Sequence, residues 1–428
     1  MYRKLFIIFT MLPLKTYAYN FENISEIYKP LRDDLSYAKE IKYSSNYREP
    51  LSQKNIPAEY ITNVKFWRDI YSYFDSNNIL IHSKVDISNV FKIVNLKNLY
   101  QRESNAIIAE IKKNRIMKYQ ISEIKNELQK CYSGKLCKLK INKSITLQNV
   151  IKNLRTQTGQ LDILNEGIKR FKPFEATIKH VITKTKSNNN WLAIPFLESS
   201  FNPKAVSKVG ATGAWQIMKS VGKKLLPINE FVDGRRNPII ASYAALKILR
   251  ENRIITKNED ISIIAYNSGL RNFFQMKKQM KRDNFTISEY LNFSKQKNKS
   301  FSFASENFLM EFHAMKEFLI KKSIINQNIE NHSRNLSSTN SEQYNIYLSK
   351  CKTRPSRIIS LLSKKDTNIK KANSHFKKSS LLKILPSGQI YITKEKLPKK
   401  YYKKIDVTKL DDMSPVKWKT DQINCSII

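Results

Sequence analysis

Hydrophobic residues recur at helical spacing through most of the chain, and this pattern predicts a mainly α-helical protein. Between residues 239 and 249 apolar side chains repeat every three to four positions, which places them on one face of a helix. Asn237 and Pro238 precede this run as an N-cap and a proline at the first helical position. The same spacing predicts further helices at residues 66–74, 107–128, 147–171 and 300–321.

A short helix with recognisable ends is predicted at residues 261–266. Asp260 can cap its N-terminus, and Gly269 is well placed to end it. Asn267 then lies in the last turn, where its amide can point out of the helix end. Residues 79–81 are the one short stretch in the N-terminal part that indicates an extended segment.

Changes in composition along the 428 residues predict six segments. Residues 5–14 form an apolar run that follows Arg3 and Lys4 and precedes Ala18, which is the order of a secretory signal and too short to span a bilayer. An Asn- and Ser-rich stretch indicates a linker. The segments are a signal peptide (1–18), an N-terminal helical region (19–150), a central helical domain (151–322), a linker (323–343), a small α+β module (344–396) and a basic tail (397–428).

Composition adds to this picture. Nine glycines and 13 prolines argue against an all-β fold with many tight turns. The net charge of +40 would attract nucleic acid, anionic lipid or an anionic polymer such as cell wall. Abundant Lys, Asn and Ile, spread over the whole length, indicate that base composition accounts for part of this charge.

Export makes disulfide bonds the favoured state of the four cysteines. Cys131 and Cys137 bracket a short loop with a Gly turn, which leaves Cys351 and Cys425 as a second pair. Three connectivities are open to four cysteines, and buried free thiols are the alternative.

Because no cysteine lies near the predicted cleavage site, we expect no lipid anchor and a location in the periplasm or cell envelope. No His or Cys cluster has metal-ligand spacing, and we predict neither a metal nor a cofactor.

An isolated acid is the strongest candidate for a catalytic residue. Glu198 is the only carboxylate between Glu175 and Glu230, and it follows the apolar run at residues 191–197. Burial in such a place favours the neutral form and raises the pKa, as a general acid requires. A half-buried structural glutamate at a helix end explains the same pattern equally well.

Three segments resemble the motif set of the lytic murein transglycosylases, specifically the membrane-bound transglycosylase D type. They are Glu198-Ser199, residues 213–218 (GAWQIM) and residues 265–269 (AYNSG). An acid in an apolar wall, near amides and aromatic rings, is typical of a sugar site. The resemblance extends more widely, to residues 67–82, 155–170 and 233–238, and residues 344–392 resemble the LysM-like wall-binding segment of that group.

The resemblance implies a lysozyme-like catalytic domain that cleaves the β-1,4 bond between N-acetylmuramic acid and N-acetylglucosamine in peptidoglycan. Glu198 would protonate the glycosidic oxygen and then deprotonate the muramic C6 hydroxyl, which leaves a 1,6-anhydro end. The lack of a second acid near Glu198 along the chain agrees, since ordinary glycosidases need a pair of carboxyl groups. Asp233 and Asp260 fit better as a loop residue and a helix cap.

The remaining family positions imply the other site residues. Ser207, Gln216 and Met218 would contact the acetamido sugar. Tyr266 and Asn267 would hold the acid and the sugar that develops positive charge. A loop serine, a packing methionine and a cap-region asparagine are the structural alternatives for three of these positions.

The sequence differs from the family pattern at two places, and two alternative functions fit it. The segment at residues 306–310 lacks the family tyrosine, and Gly234 stands where the family often has Glu or Pro. The alternatives are a goose-type lysozyme-like hydrolase that uses water, and a non-catalytic peptidoglycan-binding protein. The expected partners are peptidoglycan strands and anionic cell-envelope polymers, and nucleic acid is not expected.

Overall fold

The computed structural model describes residues 35–36, 38–40, 51, 56–132, 146–297, 301–325 and 343–406. Within these residues the protein is mainly helical, which confirms the fold class predicted from hydrophobic spacing. The chain divides into two compact units. Among the described residues, the first unit contains Asn165–Phe312 and the residues from Leu319 onward, and the second contains the residues up to Leu164 together with His313–Phe318.

The second unit packs helices against a four-stranded antiparallel sheet. Its helices are α1 (Ile61–Ser72), α2 (Lys97–Arg102), α3 (Ala106–Tyr132) and α4 (Leu147–Lys152). The strands, in the sheet order β1-β3-β2-β4, are β1 (Lys39–Glu40), β3 (Asp86–Asn95), β2 (Asn78–Ser83) and β4 (Leu154–Thr158). The amphipathic helix predicted at residues 107–128 corresponds to α3, whose Ile116, Ile124 and Leu128 share a core with β2.

The helix predicted at residues 147–171 is wrong, because β4 interrupts it. The helix α4 ends before Leu154, and α5 (Leu161–Phe171) begins after Gly159. A Cβ at Gly159 would lie 2.4 Å from the carbonyl oxygen of Phe74, so the backbone passes too close to the segment that follows α1 for a side chain there. The N-terminal region predicted as helical therefore also contains a sheet, of which the sequence indicated only residues 79–81.

Eight helices of the described chain follow between residues 175 and 321, all in the first unit apart from His313–Phe318 of the last one. In order they are α6 (Glu175–Lys184), α7 (Ala193–Ser199), α8 (Lys219–Leu225), α9 (Pro238–Thr256), α10 (Glu259–Ser268), α11 (Arg271–Met280), α12 (Ile287–Lys297) and α13 (Phe303–Lys321). The predicted cap of α9 is confirmed, because Asn237 Oδ1 accepts hydrogen bonds from the amides of Ile239 and Ile240 at 2.9 and 3.1 Å.

The cap predicted for α10 is wrong by two residues. Asn258 Oδ1 accepts from the amide of Ile261 at 3.1 Å, while Asp260 lies inside the first turn, where its charge favours the helix dipole. The end of α10 is as predicted. Gly269 follows the helix with φ +79°, a backbone conformation that residues other than glycine rarely adopt. Asn267 therefore lies in the last turn.

The C-terminal module belongs to the first unit and is built on a three-stranded antiparallel sheet of order β6-β5-β7. Its elements are β5 (Asn345–Ser349), α14 (Pro355–Ser363), α15 (Ile369–Ala372), β6 (Ile390–Thr393) and β7 (Tyr402–Ile405). The strand β7 lies where the sequence predicted a basic tail. Only Tyr402 of this strand is fully buried, while Lys403 and Lys404 are exposed, so its apolar signal is too weak to detect.

Several predictions concern residues that the structure does not describe. These are the signal peptide at 1–18, most of the linker and the end of the basic tail. Cys351 is disulfide-bonded, but Cys137, Cys425 and the side chain of Cys131 are not described, so the pairing stays a prediction. None of the described helices combines the length and apolar character needed to cross a bilayer.

Candidate active site

Glu198 lies in the last turn of α7, where it is half-buried. The apolar run before it explains this position, since Trp191 at its start and Phe196 near its end are each only 1% exposed. The indole Nε1 of Trp191 donates to Glu259 Oε1 at 2.6 Å. Glu259 is thus a support of the site that the sequence analysis missed, because it lies 68 residues away from its partner.

The chain leaves α7 through two residues with left-handed backbone conformation. Ser200 and Phe201 have φ of +49° and +53°. The carbonyl oxygen of Ser200 accepts from Arg170 Nη2 at 2.7 Å, and a Cβ at Gly167 would lie 2.7 Å from the same oxygen. Arg170 and Gly167 on α5 thus fix the turn after Glu198, and both lie in the segment at residues 155–170 that resembles the family.

Two hydrogen bonds bring the three predicted motifs together. Ser199 Oγ donates to the carbonyl oxygen of Ala214 at 2.8 Å, and Tyr266 donates its phenolic proton to the carbonyl oxygen of Trp215 at 2.8 Å. Burial, and secondly the negative charge of Glu198, raise the pKa of Tyr266 well above its ordinary value. The phenol therefore stays protonated, and it lies close enough to Glu198 to feel its charge.

Ser207 and Gln216 lie on one folded loop, residues 205–217, which we call the substrate loop. Bridges between Val206 and Thr212 and between Thr212 and Ile217 hold it together. Ser207 Oγ accepts from the amide of Ala211 at 3.0 Å. Gln216 Nε2 donates to the carbonyl oxygens of Gly213 at 2.8 Å and Ala205 at 3.4 Å.

The last two predicted residues, Met218 and Asn267, differ in how exposed their side chains are. Met218 is 38% exposed at the N-cap position of α8. Asn267 is half-buried and accepts a hydrogen bond at Oδ1 from Ser305 Oγ of α13 at 3.0 Å. Its Nδ2 group, the donor end, therefore points away from Ser305. This pair could not be predicted from the sequence, because 38 residues separate the two side chains.

The substrate loop rests on Arg235, which the sequence analysis did not select. Arg235 Nη1 donates to the carbonyl oxygens of Gly210 and Ile217 at 2.9 and 3.2 Å. Its Nη2 lies 2.7 Å from Asp233 Oδ2. Burial alone would raise the pKa of Asp233, but the hydrogen bonds and charge of Arg235 hold it below the ordinary value. Asp233 is thus an ion-paired loop residue.

The two departures from the family pattern have local explanations. A Cβ at Gly234 would lie 3.0 Å from Pro227 Cδ and 3.1 Å from the carbonyl oxygen of Pro227, so this position is tight for any side chain. In the segment at 306–310, Glu306 pairs with Lys295 at 2.8 Å and Phe308 is buried. Ser305, just before this segment, contacts Asn267. Among the described residues, no cluster of His, Cys, Asp or Glu could hold a metal ion.

Residues 176–288 match the family model of the transglycosylase SLT domain. This SLT segment contains Glu198 and every other predicted site residue. The membrane-bound lytic murein transglycosylases D of Escherichia coli strains K12 and O6:H1 are each 31% identical to this chain over 108 residues. That alignment covers 25% of this chain and 24% of each relative, so the chain matches about a quarter of their length. The resemblance predicted from the motifs is thereby confirmed for the SLT segment.

Proposed function

We propose that this protein is an enzyme, a peptidoglycan lytic transglycosylase with Glu198 as its single general acid and base. The observation that carries the proposal is the position of Glu198 at the end of α7, near the buried phenol of Tyr266 and within the SLT segment. The similarity to murein transglycosylases supports the substrate class.

In the first step, Glu198 gives its proton to the oxygen that links C1 of N-acetylmuramic acid to the next sugar, and this bond breaks. The carboxylate then takes the proton of the muramic C6 hydroxyl as that oxygen bonds to C1. The product is a 1,6-anhydro end, and Glu198 is again protonated. One carboxyl suffices because the substrate supplies its own nucleophile.

Partners of Glu198 have distinct roles in this mechanism. Because the proton of Tyr266 is donated to the Trp215 carbonyl, the phenol can offer only lone pairs to other groups, which favours the protonated form of a nearby acid. Asn267, held at Oδ1 by Ser305, can donate from Nδ2 to a sugar oxygen. Gln216 donates to two loop carbonyls, so its Oε1 is the group suited to accept from an acetamido N–H. Ser207 and Met218 complete the proposed sugar contacts.

Hydrolysis with an activated water is the second candidate, and it needs a second carboxylate to act as base. The hydrogen bonding of two other acids of the SLT segment argues against it. Asp233 is paired with Arg235, and Glu259 accepts from Trp191 and Asn188. Both carboxylates therefore stabilise the fold through these interactions.

The test uses Glu198→Gln, with the exposed Glu251→Gln on α9 as a matched control. We expect Glu198→Gln to lose release of muropeptides from sacculi, while Glu251→Gln keeps the wild-type rate. Sacculus pelleting should be the same for all three proteins. Mass spectrometry of wild-type products should show anhydro ends. Reducing muramic ends would assign the protein to the hydrolases, and unchanged release by Glu198→Gln would place the chemistry elsewhere.

Export and wall binding complete the proposal. The signal-like residues 1–18 and the relatives' description as membrane-bound support a place in the cell envelope. Residues 344–396 are proposed as the wall-binding module, and the basic surface as a contact for anionic envelope polymers. If the positive charge contributes to binding, the affinity for sacculi should fall as the salt concentration rises. Binding that does not depend on salt would mean that uncharged groups of the module make the contact.

A further inference from the structure

The C-terminal module and residues 228–237 share backbone pairing and a core. We call residues 228–237 the support loop. Val232 pairs with Phe376 as an antiparallel bridge, and the amide of Asp233 donates to the carbonyl oxygen of His375 at 2.8 Å. The amide of Lys377 donates to the carbonyl oxygen of Phe231 at 2.9 Å. Val232 is buried in the hydrophobic cluster of the module, so this contact is not a loose surface contact.

A buried polar link lies at the end of the support loop. Asn237 caps α9 with its Oδ1, which turns Nδ2 toward the module. There Nδ2 donates to the Ala372 carbonyl at 2.7 Å and to His375 Nδ1 at 3.0 Å, and His375 Nε2 donates to the Ile390 carbonyl of β6 at 3.0 Å. This pattern requires a neutral imidazole with its proton on Nε2. Burial agrees, since it lowers the pKa of His375 to about 4.

The support loop in turn holds the substrate loop. Arg235 donates to the carbonyls of Gly210 and Ile217. The Arg235 carbonyl lies so close to Gly213 that a Cβ at Gly213 would come within 1.8 Å of it. Ser207 and Gln216 lie on the loop fixed by these contacts. A continuous set of hydrogen bonds and tight contacts therefore leads from the module's sheet to the proposed sugar-binding side chains.

We infer that the C-terminal module is a structural part of the catalytic centre, in which His375 is a positioning residue that fixes the substrate loop through the support loop. This inference rests on the proposed function. A separate wall-binding domain on a flexible linker would act differently. Such a domain would raise the affinity for sacculi and leave the turnover of a small soluble substrate unchanged.

The first experiment measures the substrate loop without any substrate. Hydrogen exchange of the full chain should be faster at the amides of Ser207, Thr212 and Ile217 in His375→Leu, because Leu removes one of the two acceptors of Asn237 Nδ2 and the ring donor to the Ile390 carbonyl. Exchange in the middle of α10 should stay as in the wild type. Unchanged exchange at the substrate loop would overturn the inference, whether or not the protein proves to be a transglycosylase.

The second experiment measures turnover of a soluble, uncross-linked glycan fragment, for which wall binding is irrelevant. We expect kcat to fall about tenfold in His375→Leu, and to stay within about threefold of wild type in His375→Gln, whose amide can both donate and accept. Ser374→Ala is a milder variant that removes a 2.6 Å hydrogen bond to the Arg236 carbonyl, and it should show an intermediate fall.

The exposed Lys364→Ala on the same module is the control, and its kcat should equal that of wild type. Wild-type kcat in both His375→Leu and Ser374→Ala would overturn the inference. An inactive wild-type protein would instead overturn the proposed function, and the exchange experiment would then decide the role of the module.

Discussion

Glu198 is positioned by hydrogen bonds that its neighbours make with residues distant in the sequence. Trp191 reaches Glu259, Ser199 reaches Ala214, and Arg170 holds the turn at Ser200. The acid itself could be selected from the sequence, because the apolar run before it is local. Its supports could not be selected, since each of them pairs with a residue whose proximity only the fold creates.

The Ser305–Asn267 pair gives a prediction at the scale of single residues. Ser305→Ala removes the donor that orients the Asn267 amide, and the loss of one such hydrogen bond is worth about 1 kcal/mol. We expect a five- to tenfold fall in muropeptide release at unchanged sacculus binding. Ser305→Thr should keep the rate.

Ser302→Ala, one residue before α13, is the control for a general effect on the start of this helix. It should release muropeptides at the wild-type rate. If Ser305→Ala were as active as Ser302→Ala, the orientation of Asn267 would not depend on Ser305.

At the scale of elements, the sequence predicts best what neighbouring residues decide. The cap at Asn237 and the helix end at Gly269 are local choices, and both are found in the structure. The strands β4 and β7 were missed because their pairing partners, β2 and β5, lie far away in the sequence. Neither has the strong apolar alternation that would identify a strand without its partner.

Two glycines of the substrate loop provide a matched pair at this scale. Gly210 and Gly213 have φ of +82° and +84°, but a Cβ at Gly210 meets nothing within 4 Å, whereas one at Gly213 meets the Arg235 carbonyl. Replacement by Ala imposes the same backbone strain at both, roughly 1–2 kcal/mol. Only Gly213→Ala must also displace the support loop.

We therefore expect Gly213→Ala to lower the melting temperature more than Gly210→Ala, and to reduce turnover more strongly. Thermal unfolding and muropeptide release of the two variants give the comparison. Equal effects would show that backbone strain alone matters and that the close contact with Arg235 does not constrain the loop.

At the scale of the whole molecule, three histidines that are buried in the described part of the chain make stability depend on pH. Burial lowers the pKa of His82 and His313 to about 3 and that of His375 to about 4. The unfolded chain binds these protons near pH 6.5, before the folded protein does. Between that pH and the folded pKa values, acid therefore favours the unfolded state, and stability falls as the pH falls.

The contribution of His375 can be separated from that of the other two histidines. Its ring contacts the Asn237 amide, the Ile390 carbonyl and the ring of Phe376, and the nearest ion pair of the support loop, Asp233–Arg235, is already satisfied. From pH 7 to 4.5, a shift from 6.5 to about 4 removes about 2–3 kcal/mol of stability. His375→Gln lacks this titration. Between pH 7 and 4.5 its free energy of unfolding, measured in urea, should therefore fall by about 2–3 kcal/mol less than that of the wild type. Parallel pH profiles for wild type and His375→Gln would mean that His375 binds its proton at the same pH in the folded and the unfolded protein, so that burial does not lower its pKa.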